Sequence, residues 1–133
     1  MNNLIIEKTE DSPAVSFDQA SAQLSLSGES RPENAGKFYN PLLEWITQFE
    51  SILYWRKEQK MDQKPVIFSF RLDYFNSTSA KYIMDIILTL NKLAEKGYAM
   101  RVEWHYDSRD EDMLDAGKEF AEMVPLKFDF MAN

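Results

Sequence analysis

The sequence predicts an α/β fold: a two-layer sandwich in which one mixed sheet carries its helices on a single face. Three observations carry that prediction. The first third reads as short strands joined by a hairpin turn, and helical and strand patterns then alternate three times. Every long strand alternates apolar with polar residues, so one sheet face is dry and the helices share that side. Strand–helix–strand spacing favours right-handed parallel crossovers. A doubly wound sheet is disfavoured, because its central strands would read as unbroken apolar runs.

Leu4-Ile5-Ile6 reads as a short strand. Val15 and Phe17 open a second, and Leu24 and Leu26 alternate with Gln23, Ser25 and Ser27 in a third. Asp18-Gln19-Ala20-Ser21 between them suits a hairpin turn. Ser27-Gly28-Glu29-Ser30-Arg31-Pro32-Glu33-Asn34 is rich in breakers and reads as a loop. Phe38, Leu42, Ile46, Phe49 and Leu53 then recur at helical spacing, with Trp45 and Ile52 widening the stripe. Pro41 suits the first position of that helix, which places its start near Asn40. The polar stretch from Lys57 to Lys64 closes it.

Val66, Phe68, Phe70 and Leu72 alternate with Ile67, Ser69, Arg71 and Asp73 in the next strand. From about Ser79 a second helix sets Ala80, Ile83, Ile87, Leu90 and Ala94 on one face, and Gly97 stops it. Met100, Val102, Trp104 and Tyr106 alternate with Ala99, Arg101, Glu103 and His105 in a further strand. Asp110 to Met123 is a third helix with a weaker stripe of Met113, Leu114, Gly117, Phe120 and Ala121. Pro125 ends it, and Leu126, Phe128 and Phe130 mark the last strand. No repeat, low-complexity segment or linker divides the chain, so residues 1–133 read as one domain.

Composition narrows the function classes. A hydrophobic fraction of 44% with 14% aromatics supports a packed core rather than disorder. Cysteine is absent, which removes disulfides, thiolate nucleophiles and thiolate metal sites. The first residues lack the basic and long apolar regions of a signal peptide, and no run is long enough to cross a bilayer, so the expectation is a soluble cytoplasmic protein with no membrane partner. The net charge of −7 is unfavourable for binding a polyanion, so nucleic acid is not an expected partner. The one dense basic stretch, Arg56-Lys57-Glu58-Gln59-Lys60, more simply complements the end of the first helix.

Catalytic residue types are equally sparse. His105 is the only histidine, has no serine nucleophile motif near it, and reads as a surface or packing residue. Asp107-Ser108-Arg109-Asp110-Glu111-Asp112 lacks the glycine and distal glutamate of a calcium loop, and its acids more simply cap the third helix. Four dispersed glycines build no phosphate-cradling loop. The expectation is therefore no cofactor, no metal and no catalysis. Trp45, Trp55 and Trp104 read as core or interface anchors.

One junction stands apart. A strand ends at Asn76-Ser77-Thr78-Ser79, which opens a helix. Hydroxyls there lie where unpaired N–H groups and the positive end of the helix dipole converge, so a phosphate carried by one of them is stabilised. Ordinary N-capping also selects Asn, Ser and Thr, although a cap needs one such side chain and here four stand in a row. On the residues alone, capping and a phosphorylation switch both stand.

The strand ending in Asn76-Ser77-Thr78 resembles the phosphoacceptor loop of STAS-domain anti-sigma-factor antagonists. More specifically, the chain from about Ser12 to Phe130 resembles the SiaC family of bacterial regulatory phosphoproteins. The matching segments are Gly28-Glu29-Ser30-Arg31-Pro32-Glu33-Asn34, Leu43-Glu44-Trp45-Ile46 and Tyr74-Phe75-Asn76-Ser77-Thr78-Ser79-Ala80-Lys81. Met84-Asp85-Ile86, Trp104-His105-Tyr106-Asp107 and Gly117-Lys118-Glu119-Phe120 complete the set. The resemblance implies a STAS-like (SpoIIAA-like) sandwich acting as a non-enzymatic partner switch. It implies that a cognate serine/threonine kinase phosphorylates one hydroxyl and a PP2C-type phosphatase removes the phosphate. The unphosphorylated form would bind and activate a diguanylate cyclase, raising cyclic di-GMP and promoting biofilm formation.

The family's acceptor is the hydroxyl directly after the loop asparagine, which here is Ser77, with Thr78 as the alternative. A familiar member carries threonine at that position, so serine is a mild departure. Asn76, Thr78, Ser79 and Lys81 are expected to support the phosphate or the partner, Lys81 lying one turn along the helix. A phosphate at Ser77 adds about −1.5 to −2 charges and alters the binding surface rather than the fold. A monomer is the expected state for a protein that trades partners. The alternatives are an anti-sigma-factor-antagonist-type switch and a constitutive scaffold acting on a different output protein.

Overall fold

A computed structural model describes residues 1–133. Its elements are β1 (Leu4–Ile6), β2 (Ala14–Asp18), β3 (Gln23–Ser30), α1 (Ala35–Glu58), β4 (Val66–Phe75), α2 (Ser77–Glu95), β5 (Met100–Tyr106), α3 (Glu111–Glu122) and β6 (Phe128–Ala132). All six strands join one sheet in the order β1-β2-β3-β4-β5-β6. The first three strands pair antiparallel, and β3 to β6 pair parallel. The sheet is therefore mixed, as the sequence predicts. Because the order is sequential, α1, α2 and α3 cross over in the same direction, and a common hand places all three on one face.

Alternation within the strands supplies that face. Leu24 pairs with Phe68 and Phe68 with Val102, while Leu26 pairs with Phe70 and Phe70 with Trp104. All six side chains are buried. An aromatic row runs under the helices from Phe17 through Phe68 and Phe70 to Trp104, with ring centroids 5.5, 4.5 and 5.3 Å apart. Truncating a ring in such a row costs about 3–5 kcal/mol in lost transfer energy and cavity formation. Onto it α1 buries Tyr39, Leu42, Ile46, Phe49 and Leu53, and α2 buries Ile83, Ile86, Ile87 and Leu90. α3 is seated more lightly, with Met113 and Gly117 its buried residues. No helix is long and apolar enough to cross a membrane.

The opposite face carries the polar half of each strand. Ser25, Ser69, Glu103 and Asp129 form one row across β3 to β6. Ser69 Oγ donates to Glu103 Oε1 at 3.1 Å, and Arg101 donates to Asp129 Oδ2.

Three boundaries differ from the sequence reading. α1 begins at Ala35, not near Asn40: Asn34 caps it by accepting from Lys37 N at 3.0 Å, and Ala35 and Tyr39 are buried in its first turns. Pro41 thus sits inside the helix, its missing N–H overridden by that burial. β3 runs through the expected loop to Ser30. Gly28, at φ +106°, sits at an irregularity where β4 carries one extra residue, Asp73, after which Glu29 and Ser30 pair with Tyr74 and Phe75. α2 begins at Ser77 rather than Ser79, because Asn76 occupies the cap.

Candidate functional site

The junction between β4 and α2 lies at the carboxyl end of the parallel strands. Asn76 is the N-cap of α2: its side-chain oxygen accepts from Ser79 N at 2.9 Å, and its own N–H donates to Ser30 O at 3.0 Å. One of the four polar side chains therefore does the capping. A second, Ser79, is fully buried and donates to Ser30 O at 3.0 Å. Ser77 and Thr78 remain, both exposed, and neither hydroxyl is bonded within the chain. The surplus noted in the sequence resolves into one cap, one internal tie and two free hydroxyls at the first two positions of a 19-residue helix.

Beneath the junction three buried hydroxyls connect three elements. Ser30 Oγ, at the end of β3, donates to Ser79 Oγ on α2 at 2.8 Å. Ser79 Oγ spends its own proton on Ser30 O. Ser30 Oγ has no further proton, so in its contact with Tyr39 OH on α1 the tyrosine donates. Burial pushes the Tyr39 phenol above its ordinary pKa, opposed by the hydroxyls of Ser30 and Ser79. Tyr39 also stacks on Tyr82 of α2, centroids 5.4 Å apart and nearly coplanar at 5°, so the first turns of the two helices lie side by side.

Lys81 is exposed, with Nζ 5.0 Å from the centroid of the Tyr82 ring, one turn along from Ser77. Upstream, Tyr74 is exposed beside Glu29. A broad open cleft shares these strands; Lys8, Thr9, Glu10, Gly28, Glu29, Arg31 and Asp73 line it without an apolar residue. Arg31 bridges Glu29 at 3.3 Å, both half exposed.

The remaining chemical candidates lie elsewhere. His105 is buried on the helix-free face of β5, with Nε2 3.1 Å from Glu103 Oε1 and Nδ1 unpaired. It packs within the sheet rather than lying on the surface. Asp110 caps α3 by accepting from Met113 N at 3.0 Å, with Glu111 and Asp112 in the first turn. Asp107 is bound by Arg109 through backbone and side chain, which lowers its carboxyl to about 2. No cluster of three or more histidine, cysteine or acidic side chains is placed to hold a metal ion. Trp45 and Trp104 are core anchors, whereas Trp55 is exposed.

Sequence reasoning singled out every residue at the surface of the junction and missed the support under it. Ser30 and Tyr39 carried a readable signal. Ser30 continues the two-residue period of Leu24 and Leu26, and Tyr39 lies one turn before Leu42 on the buried stripe. A polar atom in phase with a core face needs a partner, and here each has one.

A mixed six-stranded sheet with three helices is the architecture of a STAS-like domain. The model of the SiaC family of regulatory phosphoproteins matches residues 6–133, and the chain belongs to that family. It is similar, at 30% identity over all of this chain and 98% of the relative, to a protein of Pseudomonas aeruginosa strain UCBPP-PA14 described as uncharacterized. The crystal structure of apo-SiaC from Pseudomonas aeruginosa superposes with a TM-score of 0.85 at 30% identity, over 99% of this chain and all of that one. SiaC in a crystal structure of the diguanylate cyclase SiaD with its activator, also from Pseudomonas aeruginosa, matches with a TM-score of 0.85 at 30% identity over 98% and 99% of the two chains.

Proposed function

We propose that this chain is a non-enzymatic, phosphorylation-controlled partner switch whose unphosphorylated form binds and activates a diguanylate cyclase. A cognate kinase phosphorylates Ser77, with Thr78 as the second acceptor, and a PP2C-type phosphatase restores the hydroxyl. One observation carries the reading: Ser77 is an exposed hydroxyl, unbonded within the chain, on a junction whose cap and internal tie are supplied by other residues. Modification there breaks no internal bond. The relative crystallised with a cyclase as its activator supports the choice of output.

The physics of the switch is local. A phosphate at the first turn of α2 meets unpaired N–H groups and the positive end of the helix dipole, so the fold tolerates it. Lys81 adds a cation one turn away. A partner surface packed on Ser77 faces a dianion in place of a small hydroxyl, and association is lost by desolvation and repulsion.

The test combines the purified chain with its cognate cyclase and kinase. The unsubstituted chain and Ser77→Ala raise cyclic di-GMP synthesis, Ser77→Asp does not, and only the unsubstituted chain is silenced by the kinase. Equal activation by Ser77→Asp and Ser77→Ala overturns the reading.

A further inference from the structure

We infer that Ser30 is a positioning residue for phosphoryl transfer at Ser77: it fixes the acceptor from below and selects it over Thr78. This deepens the partner-switch reading and rests on it.

The acceptor is bracketed by residues that land on Ser30. On one side the Asn76 N–H donates to Ser30 O at 3.0 Å, and on the other Ser79 Oγ donates to the same carbonyl at 3.0 Å. Ser30 Oγ returns a bond to Ser79 Oγ at 2.8 Å and receives one from Tyr39. The proton order runs one way, from Tyr39 to Ser30 to Ser79 and back to the Ser30 carbonyl, so each hydroxyl donates once and none is left over. Ser30, Tyr39 and Ser79 are all 0% exposed.

Such a network is an unusual choice for a core. Alanine at 30 and 79 with phenylalanine at 39 would fill similar space with no polar atom to satisfy. Buried hydroxyls with every partner present instead specify a single arrangement. The arrangement specified here is the angle at which α2 leaves β4. Ser77, at the first helical position, inherits its direction from that angle, whereas its own exposed hydroxyl makes no hydrogen bond within the chain. Phosphoryl transfer depends on holding the attacking oxygen in line, and a displacement of about 1 Å costs up to about a hundredfold in rate. Thr78, next along the helix, projects about 100° away around its axis. A loosened junction therefore lowers the rate at Ser77 and lets phosphate spread to Thr78.

The test uses the full chain with its cognate kinase and two variants, Ser30→Ala and Tyr39→Phe, each first checked for a cooperative unfolding transition. Ser30→Ala keeps the two bonds to the residue-30 carbonyl but removes the Oγ that ties Ser79 to Tyr39. The variant lowers kinase kcat on the chain about tenfold with KM unchanged, because the docking surface is intact. It also raises the share of phosphate at Thr78, read by fragment mass spectrometry. Tyr39→Phe, which removes only the donor to Ser30, moves both readouts in the same direction by less. A general loss of stability would not redistribute phosphate between neighbouring hydroxyls. Wild-type rates and site shares in both variants overturn the inference while leaving the switch standing. Failure of the kinase to modify Ser77 in the unsubstituted chain overturns the switch itself.

Discussion

Gly117 lies flat against the indole of Trp104: a Cβ at that glycine would sit 2.4 Å from Trp104 Cδ1 and 2.5 Å from Nε1. The indole cannot withdraw, because it is 1% exposed, packs on Phe70 and Phe120, and donates from Nε1 to Met113 O at 2.9 Å. Glycine is what lets α3 approach β5.

Gly117→Ala therefore destabilises the fold even though alanine is the better helix former. Overpacking costs about 1–3 kcal/mol, and helix propensity returns up to about 1 kcal/mol. The expected net loss, up to about 2 kcal/mol once the propensity gain is subtracted, appears as a lower denaturant midpoint with an unchanged slope. A stabilised variant would mean that α3 is free to lift from the sheet.

The cap and the free hydroxyls separate cleanly by mutation. Asn76→Ala removes the acceptor for Ser79 N and costs about 0.5–2 kcal/mol. Thr78→Ala removes an unbonded, exposed hydroxyl and stays within about 0.5 kcal/mol of the parent. Equilibrium urea unfolding of the two variants side by side checks the contrast.

Ser77→Asp leaves the domain as stable as the parent, or more stable by about 0.3–1 kcal/mol at low salt, because an anion in the first turn complements the helix dipole. The gain shrinks as salt is added. A variant destabilised by more than about 1 kcal/mol would make the switch an unfolding event rather than a change of binding surface.

Asp107 supplies a prediction in acid. Arg109 holds its carboxyl at about 2, below the ordinary 3.8, so the pair is fully formed above pH about 4 and is lost as pH falls through about 2. Both groups are exposed, so the effect on global stability is small. Carboxyl NMR titration reads a midpoint near 2 for Asp107, and Arg109→Ala moves it up toward 3.8. An unmoved midpoint would assign the depression to the backbone bond alone.

Much of the fold was legible because period and burial agree. The alternation of Val66 to Leu72 and of Met100 to Tyr106 placed the helices on one face, and there they pack. α1 and α3 do so through Trp45 on Phe17 and Phe120 on Trp104, and α2 lies beside α1 through Tyr82 on Tyr39. Element ends were less legible where tertiary pairing overrides local preference. Glu29 and Ser30 follow a glycine at positive φ, which reads as a turn, yet pairing with Tyr74 and Phe75 extends β3 through them. Pro41 looks like a first helical residue until the Asn34 cap and the burial of Ala35 and Tyr39 are seen. At the junction, sequence located the hydroxyls but not their division of labour. That division depends on Ser30 and Tyr39, which are distant in sequence from Ser77.

The sequential strand order also bears on how the chain is made. Each new strand adds beside the one just completed, so no late segment has to be threaded between earlier ones. Ser30 lies in β3, Tyr39 in α1, Asn76 between β4 and α2, and Ser79 in the first turn of α2. During synthesis the Asn76–Ser79 junction and its buried support can thus assemble while β5, α3 and β6 are still inside the ribosome. The β4–α2 junction is among the first parts of the molecule to take shape.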